Sequence, residues 1–195
     1  MSTIEKALAK KQQSPSADKE KQNEVTAEES SSESNQSVHA ESDVLTINKE
    51  SLLERGYLID SGERKSIKEE FRQIKRKLLN NAFGSASKML NNSNLIMVSS
   101  AKPNEGKTFV SINLALSIAL EQDKTVLLID ADVLRPSVSR ELDVEKTDGL
   151  IEYLLDDTKE VRDILYNTNI DKLKLIPAGE PHHLSNELLA SEKMA

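Results

Sequence analysis

The chain has 195 residues, of which 37% are hydrophobic, 3% aromatic and 30% charged, so it has room for one ordinary domain and a polar tail. Its formal net charge of −7 argues against a nucleic-acid partner, which would require a basic face, and the absence of cysteine excludes disulfides and thiolate metal sites. No apolar run approaches the ~20 residues of a membrane helix, so we expect a cytoplasmic protein with no direct transmembrane segment.

The N-terminal part differs in composition from the rest. No aromatic residue precedes Tyr57, and residues 12–41 are rich in Ser and Glu. Such a segment cannot bury enough apolar surface to offset its chain entropy. We therefore expect residues 1–60 to comprise a short helix over 2–12, a disordered linker and an adhering arm over 44–60. Residues 61–195 should form the folded domain.

The first strong helix is predicted over residues 66–83. Ser66 and Glu69 have the spacing of a capping box, which marks a helix start. Four apolar residues recur at helical spacing and predict a buried stripe. They are Ile67, Phe71, Ile74 and Leu78.

Three apolar runs follow that suit buried strands, at residues 95–98, 125–129 and 173–176. Residues 109–120 are apolar almost all round, as expected of a helix packed between a sheet and its neighbours. Strand, loop, helix and strand in this order form a βαβ unit, so we predict an α/β fold with a doubly wound parallel sheet. Sheets average ~5 to 6 strands, so this sheet looks incomplete at the C-terminus and the chain is expected to be a fragment.

The loop between the first run and the long helix predicts a nucleotide site. It reads Ala101, Lys102, Pro103, Asn104, Glu105, Gly106, Lys107 and Thr108. This matches the Walker A pattern G-x-x-x-x-G-K-[ST] except at the first position. Backbone N–H groups would surround the phosphates of ATP, while Lys107 reaches the β- and γ-oxygens and Thr108 ligates Mg²⁺. The fold is therefore expected to be of the P-loop NTPase type.

A second signal lies at the end of the next predicted strand, where Asp130 and Asp132 follow an apolar run. Open α/β sheets bind ligands at the carboxyl ends of their strands. Alternation would put both carboxylates on one side, where they could hold magnesium, a metal-bound water or a hydroxyl that loses its proton. The alternative is that Asp130 caps the turn and Asp132 is solvated.

These two motifs together resemble those of bacterial protein-tyrosine kinases, the BY-kinases of capsule and exopolysaccharide systems. The stretch from Glu69 to Lys75 looks like the E-x-x-R-x-x-R helix of that family, with Glu69, Arg72 and Lys75 at the matching places. The resemblance implies ATP- and Mg²⁺-dependent autophosphorylation between subunits of a homo-oligomer. It also implies Asp130 as a metal or water organiser and Asp132 as the group that orients or deprotonates the attacking hydroxyl.

The terminal stretch 1–8, residues 81–84 and residues 177–179 resemble an exosortase-associated branch of these kinases. The implied role is regulation of polysaccharide polymerisation or export. The implied partner is a membrane-embedded co-polymerase or chain-length regulator, which would hold the protein at the inner face of the plasma membrane.

The chain departs from the family pattern in three places. Leu134 occupies the position of the motif arginine and Arg135 follows it, so a phosphate or subunit contact is assigned to Arg135. Lys75 replaces an arginine, which keeps the charge but loses the bidentate fork. The Walker B strand and the tyrosine-rich tail would lie beyond Ala195.

Other residues suggest weaker or competing assignments. Tyr57, Tyr153 and Tyr166 could accept phosphate, although the last two lie in apolar helical patterns that predict packing residues. Lys102 keeps open a positioning ATPase of the MinD and ParA type, which places a lysine at this loop position. An inactive adaptor fragment is the third possibility.

Overall fold

The computed structural model of the chain describes residues 44–59, 65–89 and 91–194. The helix expected over 2–12 and the Ser- and Glu-rich linker lie outside these residues. The described residues, 44–59 included, belong to one compact unit, so the domain boundary expected at residue 60 falls inside it. The reason is burial, because Ile47, Leu52 and Tyr57 lie in the core of the unit.

The described residues alternate between short strands and helices. The strands are β1 (Val44–Leu45), β2 (Val126–Ile129), β3 (Tyr166–Thr168) and β4 (Leu173–Ile176). The α-helices are α1 (Lys49–Glu54), α2 (Lys65–Phe83), α3 (Lys107–Ala119), α4 (Val138–Glu141), α5 (Leu150–Leu155) and α6 (Ser185–Leu189). Two 3₁₀ helices cover Ser85–Met89 and Val161–Asp163. The predicted α/β class is confirmed.

The four strands form one mixed sheet in the order β1-β3-β4-β2. β1 pairs with β3 and β2 with β4 in parallel, with Leu128 opposite Leu175, whereas β3 and β4 are antiparallel. The sheet that was predicted to be parallel is therefore mixed, since this pair is antiparallel. Only residues 169–172 join the two strands, and a connection this short cannot make the crossover that parallel pairing requires.

The strand predicted over residues 95–98 does not form. Residues 95–100 are irregular, and the side chains of Leu95 and Met97 are 72% and 87% exposed. Within the described part of the chain no strand pairs with this run, and β2 is the last strand of the sheet on that side. β2 is therefore an edge strand, and because Leu127 and Ile129 are exposed, it is not covered on both faces.

The buried face of helix α2 differs from the predicted apolar stripe at one position, where Lys75 is buried in place of Ile74. It begins at Lys65, so Ser66 lies inside it and does not cap it. Phe71 and Lys75, four residues apart, face inward, while Ile74 is exposed. Lys75 is only 7% exposed because its Nζ donates to the carbonyl of Ser117 at 3.0 Å and pairs with Glu121 Oε1 at 2.5 Å.

The predicted central helix is confirmed as α3. Its residues 112–119 are all buried, and it packs on β2, β4 and helix α2. The arm over residues 44–59 also reaches it. The N–H of Leu58 donates to the buried Asn113 Oδ1 at 2.8 Å, and the ring of Tyr57 lies 5.2 Å from that of Phe109. Phe109, the residue after Thr108, is thus contacted by Tyr57 from the N-terminal part of the chain.

Candidate nucleotide-binding site

The Walker A loop, residues 101–108, lies between the irregular run 95–100 and helix α3. Gly106 has φ 92° and Asn104 has φ 64°, both in the left-handed region. At Gly106 a side chain would meet no atom within 4 Å, so the glycine is required by its backbone angle and the space beside it is open. The turn brings Lys107 to the first position of a 13-residue helix, whose N-terminus favours anions.

The loop is exposed and has few internal contacts. The N–H of Lys102 donates to Glu105 Oε2 at 3.0 Å, and Ser100 Oγ donates to the carbonyl of Lys102 at 3.0 Å. Lys107 Nζ lies 4.0 Å from Asp132 Oδ2. The structure therefore brings the two sequence motifs together through a lysine and a carboxylate, both of them partly solvated.

Asp130 is buried, with 4% of its surface exposed, and it organises the turn after β2. Its Oδ1 accepts the N–H of Asp132 at 3.1 Å, and its Oδ2 accepts those of Ser137 and Val138 at 3.2 and 3.0 Å. Burial raises the pKa of this carboxyl, although the three backbone hydrogen bonds oppose the rise. The capping alternative for Asp130 is thus part of what the residue does.

Asp132 does not share the environment of Asp130. It is partly exposed, its Oδ1 accepts the N–H of Arg135 at 3.2 Å, and its Oδ2 faces Lys107. Strand alternation was expected to put both acids on one side, but β2 ends at Ile129 and the chain turns immediately. Asp130 consequently points into the turn, while Asp132 is the acid on the open side.

Ser137 is the site residue that sequence reasoning missed. Its Oγ lies 2.6 Å from Thr108 Oγ1, and its N–H is held by Asp130. A serine between Pro136 and an apolar residue is a helix-start signal that would have placed it at an N-cap. The contact to Thr108, 29 residues earlier in the chain, has no signal of its own.

The donor set fits magnesium with a nucleotide phosphate. Thr108, Asp130 and Asp132 offer hydroxyl and carboxylate oxygens, the hard ligands that Mg²⁺ prefers, and Lys107 supplies a compact positive charge. Among the described residues no group of three His, Cys, Asp or Glu side chains is arranged to hold a metal ion. Magnesium that takes most of its ligands from phosphate and water needs only one or two protein oxygens.

The residues predicted for self-association separate into two environments. Glu69 and Arg72 are exposed and pair with each other at 3.3 Å, whereas Lys75 is committed inside the chain. An interface on this helix would therefore use Glu69 and Arg72 but not Lys75. The side chain of Arg135 is exposed near the site, as is that of Lys102.

Two features together define a P-loop nucleotide-binding domain. They are a loop with a left-handed glycine that places a lysine and a threonine at a helix N-terminus, and a neighbouring strand that is followed directly by Asp130. A family model described as "AAA domain" matches residues 93–193, which include both motifs. The chain belongs to this family.

Several relatives are similar over part of the chain. The succinoglycan biosynthesis transport protein ExoP of Rhizobium meliloti is 37% identical over 106 residues, which is 53% of this chain and 13% of that protein. The tyrosine-protein kinase YwqD of Bacillus subtilis is 31% identical over 147 residues, which is 75% of this chain and 59% of that protein. The chain thus spans less than two thirds of either relative.

Among solved structures, the kinase domain of the Escherichia coli tyrosine kinase ETK matches with a TM-score of 0.56 at 28% identity. The match covers 78% of this chain and 62% of that one. The predicted resemblance to bacterial tyrosine kinases is confirmed by these matches. In the part of the chain that the structure describes, no helix is long and apolar enough to cross a membrane.

Proposed function

We propose that this chain is the nucleotide-binding part of an ATP-dependent protein-tyrosine kinase that regulates exopolysaccharide synthesis or export. The observation that carries the proposal is the junction of the two motifs. Lys107 faces Asp132, and Thr108 is linked through Ser137 to Asp130. Relatives named as tyrosine-protein kinases share the region that contains this junction.

Each residue of the junction has a role in this proposal. Lys107 binds the β- and γ-phosphate oxygens, and Thr108 offers its hydroxyl oxygen to Mg²⁺. Asp130 holds the turn and organises the metal or its water. Asp132, on the open side, orients the attacking tyrosine hydroxyl and accepts its proton. Magnesium, when bound, would neutralise charge that develops on the transferred phosphoryl group.

The tyrosines of the chain are poor phosphate acceptors in the folded state. Tyr57 is buried and its hydroxyl donates to Glu141 at 3.1 Å, and burial beside this carboxylate raises the pKa of Tyr57 to about 12. Tyr166 is buried in β3, not in the helix that its pattern suggested, and donates to the carbonyl of Asp148. Tyr153 is half-buried beneath Lys193. We propose that the acceptor tyrosine belongs to another segment or another protein.

Self-association and a membrane partner complete the proposal. The exposed Glu69 and Arg72 would exchange their intrahelical pair for pairs with a second copy of the chain. Since the Rhizobium relative is named for succinoglycan transport, we propose a membrane-embedded polysaccharide co-polymerase as the partner. A cytoplasmic, peripheral location at the plasma membrane would follow.

The test is ATP binding and phosphotyrosine formation by Lys107→Ala. Loss of one preorganised positive charge at the phosphates should lower phosphorylation of a tyrosine-containing substrate by about 100-fold or more. Calorimetry would report ATP binding, and an anti-phosphotyrosine immunoblot would report transfer. A twofold loss or none would contradict the assignment.

Lys102→Ala is the matched control, since Lys102 is an exposed lysine of the same loop. It should retain tyrosine phosphorylation. If this variant instead lost ATP hydrolysis as completely as Lys107→Ala, and wild type phosphorylated no tyrosine, the positioning-ATPase alternative would replace the kinase.

A further inference from the structure

Ser137 occupies the N-cap position of helix α4, but its hydroxyl makes no capping hydrogen bond. A serine at this position usually accepts a backbone N–H of the first helical turn. Here the Oγ of Ser137 instead lies 2.6 Å from Thr108 Oγ1. The side chain thus connects the helix after the Asp130 turn to the helix after the Walker A loop.

Asp130, and not the Ser137 side chain, binds the backbone at the start of α4. The Oδ2 of Asp130 accepts the N–H groups of Ser137 and Val138, which are the N-cap residue and the first residue of α4. Because Asp130 is buried and also holds the N–H of Asp132, the backbone of Ser137 has a fixed position relative to β2. The Ser137 hydroxyl is consequently presented to Thr108 from a rigid turn.

We propose that Ser137 is a positioning residue for magnesium, because it accepts the hydrogen bond of the Thr108 hydroxyl and so turns the oxygen lone pairs of Thr108 toward the metal. This inference rests on the proposed function, in which Thr108 ligates magnesium. A hydroxyl carries one proton and two lone pairs. When its oxygen binds a cation the proton must point to another acceptor, and Ser137 Oγ lies at hydrogen-bond distance.

The competing account is that the Ser137–Thr108 hydrogen bond only fastens α3 to α4. The two accounts differ in their dependence on metal. A fastening bond affects nucleotide binding equally with and without Mg²⁺, whereas a positioning bond affects only the gain in affinity that Mg²⁺ provides.

The experiment is calorimetric titration of the chain with ATP, first in EDTA and then at increasing MgCl₂. Ser137→Ala should bind ATP in EDTA within about twofold of wild type. The MgCl₂ concentration that gives half of the gain in affinity should rise by about 3- to 10-fold, the usual effect of losing one net hydrogen bond. Ser137→Thr keeps a hydroxyl and should restore the wild-type value. Ser139→Ala, two residues further along the same helix, is the control and should leave the value unchanged.

A double-mutant cycle gives the second readout. In a Thr108→Ala background there is no hydroxyl to position, so adding Ser137→Ala should change neither ATP affinity nor its magnesium dependence. Circular dichroism would verify that each variant is folded. Should Ser137→Ala not fold, Ser137→Cys takes its place, because a thiol sulfur is only a weak acceptor.

Three results would overturn the inference. They are an unchanged magnesium dependence in Ser137→Ala, an equal loss of affinity with and without Mg²⁺, and a full effect of Ser137→Ala in the Thr108→Ala background. Wild-type chain whose ATP binding gains nothing from Mg²⁺ would remove the proposed function and this inference with it. That failure is distinct because it occurs in wild type.

Discussion

Two segments of the chain have the same plan and differ in how firmly they are held. Residues 95–119 and 126–141 each consist of an apolar run, a loop that contributes to the nucleotide site, and a helix. The second run is strand β2, paired along its length with β4, and Asp130 fastens its loop with three hydrogen bonds. The first run pairs with no described strand, and its loop holds itself through Glu105 and Ser100.

The difference shows what an apolar run requires to become a strand. Its backbone N–H and C=O groups need a neighbouring strand or water, and its side chains need cover. Residues 126–129 have a neighbouring strand in β4, and Val126 and Leu128 are covered by the core. Residues 95–98 have no neighbouring strand among the described residues, and Ile96 packs against the core while Leu95 and Met97 do not. Residues 126–141, on the Asp130 side of the site, are therefore the firm segment, and residues 95–119 are the loose segment.

The largest expected effect on the unfolding free energy comes from a substitution at Leu128 in the firm segment. This side chain is buried opposite Leu175, so Leu128→Ala leaves a cavity and should cost about 2 to 5 kcal/mol of unfolding free energy. Leu95→Ala, the same substitution in the loose segment, should cost less than about 0.5 kcal/mol because the side chain is exposed. Urea unfolding monitored by circular dichroism measures both. Equal losses would show that Leu95 is covered in solution and that the comparison fails.

Much of the fold was predictable from local patterns. The loop 101–108, helix α3 and strands β2 and β4 are each formed by contiguous residues whose pattern predicts their structure. The placement of Asp130 and Asp132 after β2 was predictable as well, but the division between the turn and the open side was not. Residues 44–59 were predicted as an adhering arm outside the domain, and their burial in its core was not, because their few apolar side chains do not specify the contacts of Tyr57 and Leu58 with α3.

The remaining misses depend on partners far along the chain. Lys75 is buried because Glu121 and the carbonyl of Ser117 receive its charge, and no helical periodicity assigns a lysine to the inward face. Ser137 contacts Thr108 only because the two motifs meet in space. Whether the run 95–98 becomes a strand likewise depends on a neighbour that the run itself does not specify.

A smaller effect is expected from Asp130→Asn, which leaves one side of the turn with an amide donor facing backbone donors. The cost should be about 1 to 3 kcal/mol, the penalty for an unsatisfied buried group. Asp132→Asn, on the open side, should cost less than about 1 kcal/mol. Chemical unfolding of both variants at fixed pH would compare the two acids, and a larger loss for Asp132→Asn would contradict the assignment of Asp130 to the turn.

The pH dependence of the stability lost in Asp130→Asn gives an independent test of the environment of Asp130. Burial raises the pKa of Asp130 in the folded state. The contribution that its titration makes to the free energy of unfolding is therefore fully present below the unfolded pKa, and it is lost as the pH rises through the raised folded pKa. Asp130→Asn lacks this titration. Its deficit relative to wild type should therefore be larger at acid pH and shrink toward neutrality, whereas a deficit that grows with pH would mean that the folded pKa is depressed.

The smallest effects on stability are expected from substitutions on the two sides of α2. This helix packs against α3, the helix of the loose segment. Lys75→Ala removes a buried ammonium group and its packing, but Glu121 remains partly solvated, so the expected cost is about 1 to 2 kcal/mol, between that of an exposed and a fully buried pair. Arg72→Glu lies on the outer side, beside Glu69, and should change the unfolding free energy by less than about 0.5 kcal/mol.

Arg72→Glu should instead weaken self-association, because a like charge beside Glu69 would repel a second copy of the chain. Light scattering at low salt should show a lower mass for Arg72→Glu and an unchanged mass for Lys75→Ala, since Lys75 reaches no outside surface. A lower mass for Lys75→Ala alone would place the interface on the buried side and would mean that α2 moves away from α3 when copies associate.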